Sequence, residues 1–172
     1  VDETTRITKS LRGLLNFSRP LTVEKTKTDI NVLIDEIIAN VKYSSGNKTV
    51  NIKKSLDKAL PMILIDKAQI EEVITNLVVN AIQAFNTNGE ITVKTKANSS
   101  SIYIEVIDDG PGIPKENLEK IFRPFFSSKG YGKGTGLGLS IVKRIINEHK
   151  GSVKVQSQTG KGTSFTIQLP IQ

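Results

Sequence analysis

Two asparagines, Asn76 and Asn80, stand four residues apart in a stretch with helical spacing of its apolar residues, Lys67 to Phe85. Residues four apart are neighbours on one side of a helix, and asparagine is a mediocre helix former. Amide oxygens are neutral ligands that Mg²⁺ accepts, usually together with phosphate oxygens. The pair therefore indicates a magnesium–phosphate site along a helix edge. The simpler alternative is that both amides hydrogen-bond to a neighbouring loop.

An aspartate followed by two glycines comes directly after an apolar strand pattern, in the segment Ile107 to Pro114. Asp108 could accept a hydrogen bond from the amino group of a base, while the bare backbone at Gly110 and Gly112 lets a ring approach closely. The alternative is an ordinary tight turn, for which aspartate, glycine and proline are the usual residues.

Five glycines alternate with other residues between Gly130 and Gly138, and an apolar helix pattern begins at their end. Such a loop exposes backbone N–H groups and leads into a helix N-terminus, and both features attract phosphate. The spacing matches neither a Walker loop nor a dinucleotide fingerprint. A flexible linker is the alternative, but it fits poorly because glycines at the start of a helix reduce its stability.

The elements that must position these residues follow from the hydrophobic periodicity. Helices are predicted over residues 4–17, 29–43, 67–85 and 139–148, and strands over residues 49–53, 91–97, 101–107, 152–156 and 164–169, with an extended segment at 61–65. Because the late strands are joined by hairpins, we predict an α+β fold. It is a two-layer α/β sandwich, in which one mixed, mostly antiparallel sheet lies under a layer of helices, plus a short N-terminal helix.

Capping residues mark the starts of two of these helices. Asp29 or Asn31 can cap the helix that follows them, and Asp66 with Gln69 has the spacing of a capping box.

Composition narrows the function classes. The 172 residues suit one domain plus a short element, and no segment approaches the ~20 apolar residues of a membrane span. The chain has no cysteine, which excludes disulfides and thiolate metal sites. Lys and Arg outnumber Asp and Glu by 24 to 17, but the lysines are scattered, so we expect no nucleic-acid partner. The first residue is Val1 and no signal peptide follows, so we expect a piece of a longer protein.

The order of these motifs resembles the catalytic and ATP-binding domain of sensor histidine kinases, in the superfamily that includes gyrase, the Hsp90 chaperone and MutL. The resemblance covers residues 29–172. Its motifs are the N box (69–85), the G1 box (108–112), the F box (122–126), the G2 box (134–139) and the last turn and strand from Gly160 to Phe165.

The resemblance implies ATP and Mg²⁺ as ligands. Asn80 matches the Mg²⁺ ligand, Asn76 lies near the phosphates, and these two are the expected catalytic residues. Asp108 matches the aspartate that recognises the adenine amino group with the help of a water. The residues expected to contact the nucleotide are Asn76, Asn80, Gln83, Asp108, Gly110, Gly112, Ile113, Phe122, Phe126, Lys129, Lys133, Gly134, Thr135, Gly136, Leu137, Gly138, Leu139 and Thr163.

The resemblance also implies a short lid between Phe126 and Gly134. Phe122, Phe125 and Phe126 would anchor it, although core packing would equally explain them. Lys129 and Lys133 lie inside the lid, where each either reaches a phosphate or remains solvated.

Position 76 separates two chemistries within the superfamily. The gyrase-like ATPases carry a water-activating glutamate one turn before the magnesium asparagine. Asn76 cannot act as a general base, and Glu72 is one further turn away. The resemblance therefore implies phosphoryl transfer, to which the protein contributes positioning and charge neutralisation.

The family's phosphate acceptor is a histidine on the first helix of a dimerisation hairpin. The single histidine here is His149, which we expect at the domain surface near a helix C-terminus and not as the acceptor. Residues 1–20 resemble the end of the hairpin's second helix and residues 21–28 a linker. The first helix was therefore either removed or is absent from a natural fragment, and we expect removal.

The implied partners are ATP and ADP, the receiver domain of a response regulator and the protein's own dimerisation helices in a homodimer. The implied location is cytoplasmic, as part of a soluble or membrane-bound sensor. Two other hypotheses stay open: a stand-alone ATPase or anti-sigma-type protein-serine kinase of the same fold, and a non-catalytic or nucleic-acid-binding module.

Overall fold

The computed structural model describes residues 23–42, 49–127 and 135–171. The elements in chain order are β1 (Thr26–Thr28), α1 (Ile30–Lys42), β2 (Thr49–Ser55), β3 (Ile63–Ile65), α2 (Lys67–Ala84), β4 (Asn88–Ala97), β5 (Ser101–Asp108), α3 (Lys115–Leu118), α4 (Gly138–Glu148), β6 (Ser152–Ser157) and β7 (Thr163–Pro170).

The main sheet has five strands in the order β2-β4-β5-β7-β6. β2 runs parallel to β4, and the other three pairs are antiparallel. In the central strands the register places Val106 opposite Val93 on one side and Phe165 on the other. All three side chains are buried, because residues directly opposite each other on neighbouring strands point to the same face of the sheet. The predicted α+β sandwich with a mixed, mostly antiparallel sheet is confirmed.

The helices α1, α2 and α4 supply the second layer. α2 packs against both other helices and against β4 and β5. Ile70, Ile74 and Leu77 recur on its inner side and are fully buried, as three- and four-residue spacing requires. The side of α2 that carries Asn76 and Asn80 is named the asparagine edge. It lies between the buried face of α2 and α4.

The cap of α2 differs in one detail from a capping box. Asp66 Oδ1 accepts a hydrogen bond from the Gln69 N–H at 3.1 Å, as predicted. The Gln69 side chain, however, donates to Asp66 Oδ2 at 3.1 Å and does not reach the Asp66 backbone. The cap of α1 is Asp29, whose Oδ1 accepts from the Asn31 N–H at 2.8 Å.

The expectation that His149 lies at the surface is wrong. His149 follows the last residue of α4 and is 2% exposed. Its Nε2 accepts a hydrogen bond from the Asp66 N–H at 3.1 Å, so Nδ1 carries the proton and donates to the Ile145 carbonyl at 2.9 Å. An imidazole ring can be buried here because both of its nitrogens find partners.

The segment before α1 contains more structure than a linker. Residues Thr26–Thr28 pair antiparallel with β3, and Thr26 lies opposite Ile65. The predicted helix over residues 4–17 lies outside the described residues, and the domain boundaries stay a prediction. Within the described part of the chain, no helix has the length and apolar character needed to cross a membrane.

Candidate functional site

The asparagine edge of α2 faces the start of α4. Asn76 and Asn80 are both half-buried. A β-carbon placed at Gly138, the first residue of α4, would lie 3.0 Å from Asn76 Oδ1 and 3.8 Å from Asn80 Nδ2. A larger residue at position 138 would push α4 away from the two amides. The structure therefore brings together three residues that the sequence assigned to one magnesium–phosphate site.

The N-terminus of α4 has no side-chain hydrogen bond from its capping residue. Leu137 occupies the capping position, is 2% exposed and offers no side-chain hydrogen bond to the helix. The Ser140 hydroxyl donates to the Leu137 carbonyl at 2.8 Å and so turns away from the amide groups of the first turn. These amides have no acceptor within the helix and carry the positive end of its dipole. The arrangement favours an anion beside the asparagine edge.

Asp108 ends β5 and is 6% exposed. Its Oδ1 accepts a hydrogen bond from the Gly110 N–H at 3.0 Å. Burial raises the pKa of Asp108, while the backbone N–H groups of Gly110 and Thr163 oppose the rise and the charge of Asp109 adds to it. The buried carboxylate has lost most of its hydration, so a ligand that donates a hydrogen bond to it would stabilise its charged form.

The glycines of the loop after β5 make close backbone contacts. Gly112 has φ +72°, and a β-carbon there would overlap the Gln158 carbonyl. A β-carbon at Gly110 would lie 2.8 Å from Asp108 Oδ1 and 3.5 Å from the β-carbon of Ala84 near the end of α2. The loop is thus pressed between the hairpin that joins β6 to β7 and the last turn of α2.

Both glycine segments therefore meet the same edge of α2. Asn76, Asn80 and Ala84 follow each other at four-residue steps, about 6 Å apart along the helix axis. A β-carbon at Gly138 would reach the first two of these residues, and a β-carbon at Gly110 would reach the third. A ligand along this edge would have the α4 N-terminus at one end and the loop beside Asp108 at the other.

Ser157 makes contacts at the candidate site that the sequence interpretation missed. Its hydroxyl accepts from the Ile113 N–H at 2.8 Å and donates to the Gly162 carbonyl at 2.8 Å. It also lies 3.0 Å from Thr163 Oγ1. Ser157 therefore joins the loop after β5 to the hairpin carrying Thr163. A serine in an alternating strand gives no sequence signal for such a role.

The three F-box phenylalanines separate into two groups. Phe122 packs edge-to-face on Phe165, with centroids 6.4 Å apart, and Phe126 packs against the core. Phe125 is 61% exposed and has φ +64°. A β-carbon at Gly136 would lie 2.5 Å from its carbonyl carbon. Core packing explains Phe122 and Phe126, and anchoring of a lid stays a prediction.

The remaining predicted residues occupy varied positions. Thr163 is buried beside Asp108, Ile113 and Leu139 are partly buried, and Thr135 and Gln83 are exposed. The predictions for Lys129, Lys133 and Gly134 lie outside the described residues.

Asn80 and Asn76 are the residues that could hold a metal. In the described ranges, no three His, Cys, Asp or Glu side chains are grouped so as to bind a metal ion. Two amides alone make an incomplete ligand set, which suits Mg²⁺ because this ion is normally shared with phosphate and water.

Comparison with known proteins identifies the family of the chain. Residues 65–172 match the family described as histidine kinase-, DNA gyrase B-, and HSP90-like ATPases. The sensor histidine kinase ZraS of Escherichia coli strain K12 is 34% identical over 169 residues, which are 98% of this chain and 36% of ZraS. The chain thus spans about a third of the length of such curated relatives.

Two solved structures show the same architecture. The nucleotide-free catalytic domain of histidine kinase ThkA is 34% identical, covers 86% of this chain and 98% of its own, and superposes with a TM-score of 0.77. ThkA in complex with the response regulator protein TrrA is 29% identical, with 99% of this chain and 48% of that chain covered and a TM-score of 0.83. The chain therefore belongs to the family of histidine kinase-, DNA gyrase B-, and HSP90-like ATPases.

Proposed function

We propose that the chain binds MgATP along the edge of α2 and donates the γ-phosphoryl group to a histidine on a dimerisation hairpin of the longer protein. The close approach of both glycine segments to that one edge, where a β-carbon at Gly110 or Gly138 would lie within 4 Å of α2 side chains, is the observation that carries the proposal. The adenine amino group would face Asp108, and the phosphates would face the N-terminus of α4. Bound Mg²⁺ would neutralise charge on the phosphates, with Asn80 as its protein ligand and Asn76 beside it.

Transfer is favoured over hydrolysis because no carboxylate stands at position 76. Glu72 is the nearest acidic side chain on that edge, and it lies about 12 Å along the helix axis from Asn80. Partial burial raises the pKa of Glu72, and the charge of Arg144 on α4 opposes the rise. Glu72 therefore interacts electrostatically with Arg144. It is too distant to activate a water at a phosphate held by Asn80.

The partners of the full protein follow from the same proposal. The relatives are named as sensor histidine kinases, and ThkA was solved with a response regulator. We infer that the phosphoryl group passes from the histidine to an aspartate of a receiver domain, and that the kinase acts as a homodimer in the cytoplasm, where ATP and receiver domains are present.

Phosphoryl transfer to a supplied hairpin domain tests this function. We expect the chain to bind MgATP, to bind ATP more weakly when EDTA removes Mg²⁺, and to phosphorylate a hairpin domain from a related kinase without steady release of phosphate. Calorimetry and radiolabelled ATP measure these properties. Absence of MgATP binding would refute the proposal, whereas steady phosphate release that is lost in Glu72→Ala would favour an ATPase.

The variant Asp108→Asn should bind MgATP more weakly than wild type without being less stable. An asparagine that keeps its oxygen on the Gly110 N–H turns its NH₂ group toward the base, so a donor meets the adenine amino group. We expect about 10- to 100-fold weaker MgATP binding, the loss typical of a hydrogen bond to a charged group. Asp109→Asn, a change at the exposed neighbour, should keep wild-type affinity in the same titration.

The variant Asp108→Asn should be at least as stable as wild type, although its affinity for MgATP is lower. Because burial raises the pKa of Asp108, ionisation of this carboxyl opposes folding: the cost begins as the pH rises above the unfolded-state pKa and is complete above the raised folded-state pKa. The variant should therefore unfold at an equal or higher temperature than wild type at pH 7. This advantage should fade as the pH falls and the wild-type carboxyl becomes protonated. A lower unfolding temperature at pH 7 would show that the carboxylate stabilises the fold.

A further inference from the structure

α2 and α4 lie antiparallel and touch at both ends of α4. At one end, Gly138 begins α4 against Asn76 in the second half of α2. At the other end, His149 follows α4 and accepts a hydrogen bond from Asp66, the cap of α2. The nucleotide edge and the buried histidine are therefore opposite ends of one helix pair.

The histidine end is a closed polar junction. Asp66 is 9% exposed, and its carboxylate caps α2 through Gln69. Asp66 Oδ2 also accepts from the Glu24 N–H at 3.1 Å, so the chain that enters the domain is attached at the same place. His149 joins α4 to this junction through Nε2 and remains fixed to its own helix through the Ile145 carbonyl.

The start of α4 lies close to α2 at Gly138. A β-carbon there would be 3.0 Å from Asn76 Oδ1, so the absence of a side chain at position 138 lets the start of α4 lie close to the Asn76 amide. The apolar contacts between the helices are non-directional, so they define the position of α4 along the axis less sharply than a directional bond does. A hydrogen bond is directional and weakens steeply when its distance or angle changes. The bond between His149 and Asp66 therefore sets where α4 stops along α2.

We propose that His149 is a positioning residue for the nucleotide site. It fixes the longitudinal position of α4 on α2, and through it the spacing between the α4 amides and the amides of Asn76 and Asn80. This inference rests on the proposed function only for its effect on nucleotide binding. The effect on helix position is independent of any ligand.

The test compares three variants of the 172-residue chain. His149→Phe keeps a ring of similar size but removes both hydrogen bonds, and His149→Gln keeps an acceptor for the Asp66 N–H. Ile38→Val, a small change in the buried side of α1, is the control for general destabilisation. Calorimetry with MgADP at low temperature, where circular dichroism shows full folding, should give about fivefold weaker binding for His149→Phe. His149→Gln should recover most of the affinity, and Ile38→Val should bind as wild type.

A second readout does not need a nucleotide. In nitrogen-15 spectra of the ligand-free chain, His149→Phe should shift the Gly138 backbone amide and the Asn76 side-chain amide, while Ile38→Val leaves both in place. Unchanged shifts and affinity in His149→Phe would overturn the proposal, as would equal losses in the Phe and Gln variants. If phenylalanine prevents folding, His149→Asn, whose amide is too short to reach Asp66, replaces it. Failure of the wild type to bind MgADP would refute the proposed function and leave the amide shifts as the test.

Discussion

Replacement of Asn80 by alanine is expected to lower phosphoryl transfer to a hairpin domain by a factor on the order of 100 to 1,000, the usual loss when one stabilising group at a charged transition state is removed. The amide of Asn80 lies in the second half of α2, facing the start of α4 across Gly138. If Asn80 holds Mg²⁺ as proposed, loss of this amide would detach the ion from the protein. The γ-phosphate would then lose part of its positioning and of its charge neutralisation.

The fold of the Asn80→Ala variant should be unaffected, because alanine is the better helix former and Asn80 is only half-buried. Asn40→Ala, at an exposed asparagine of α1, is the matched control and should transfer at the wild-type rate. The initial rate of labelled phosphate transfer at saturating ATP and Mg²⁺ measures both variants. A wild-type rate in Asn80→Ala would remove Asn80 from the metal site.

Local sequence patterns predicted the helices, the strands and the glycine motifs, because each of these depends on residues that are close together in the chain. The three- and four-residue repeat of α2 defined its buried side, and therefore also placed Asn76 and Asn80 on one edge. Alternation predicted the strands β4 and β5. The glycines at 110, 112 and 138 were recognised from the spacing of their motifs, and the structure adds that a β-carbon at Gly112 would overlap a backbone carbonyl.

Contacts between distant segments could not be predicted in this way. β2 and β4 are parallel neighbours, yet β3 and α2 lie between them in the chain. His149 ends an amphipathic helix, where histidine is usually a surface residue, and its burial depends on Asp66, far away in sequence. The bonds of Ser157 exist only after the hairpin folds back over the loop at Ile113. Periodicity carries no information about such partners.

Gly162→Ala is expected to be the most destabilising single change in the loop after β5 and the hairpin between β6 and β7. Gly162 has φ +87°, and a β-carbon there would overlap the backbone carbonyl of Asp108 and lie 3.0 Å from the Asp109 α-carbon. The left-handed conformation costs about 1–2 kcal/mol for a residue with a β-carbon, and the overlap adds about 1–3 kcal/mol. Urea denaturation should show a loss of about 3 kcal/mol in the free energy of unfolding.

Gly160→Ala separates the conformational cost from the cost of the overlap. Gly160 lies in the same hairpin with φ +78°, but a β-carbon there meets no atom within 4 Å. Its cost should therefore be the conformational cost alone, about 1–2 kcal/mol. Because relief of the overlap at position 162 requires the backbone of Asp108 to move, Gly162→Ala should also weaken MgATP binding in the fraction that remains folded, and Gly160→Ala should not. Equal losses of stability and affinity in the two variants would mean that the close approach of Gly162 to β5 does not hold Asp108 in place.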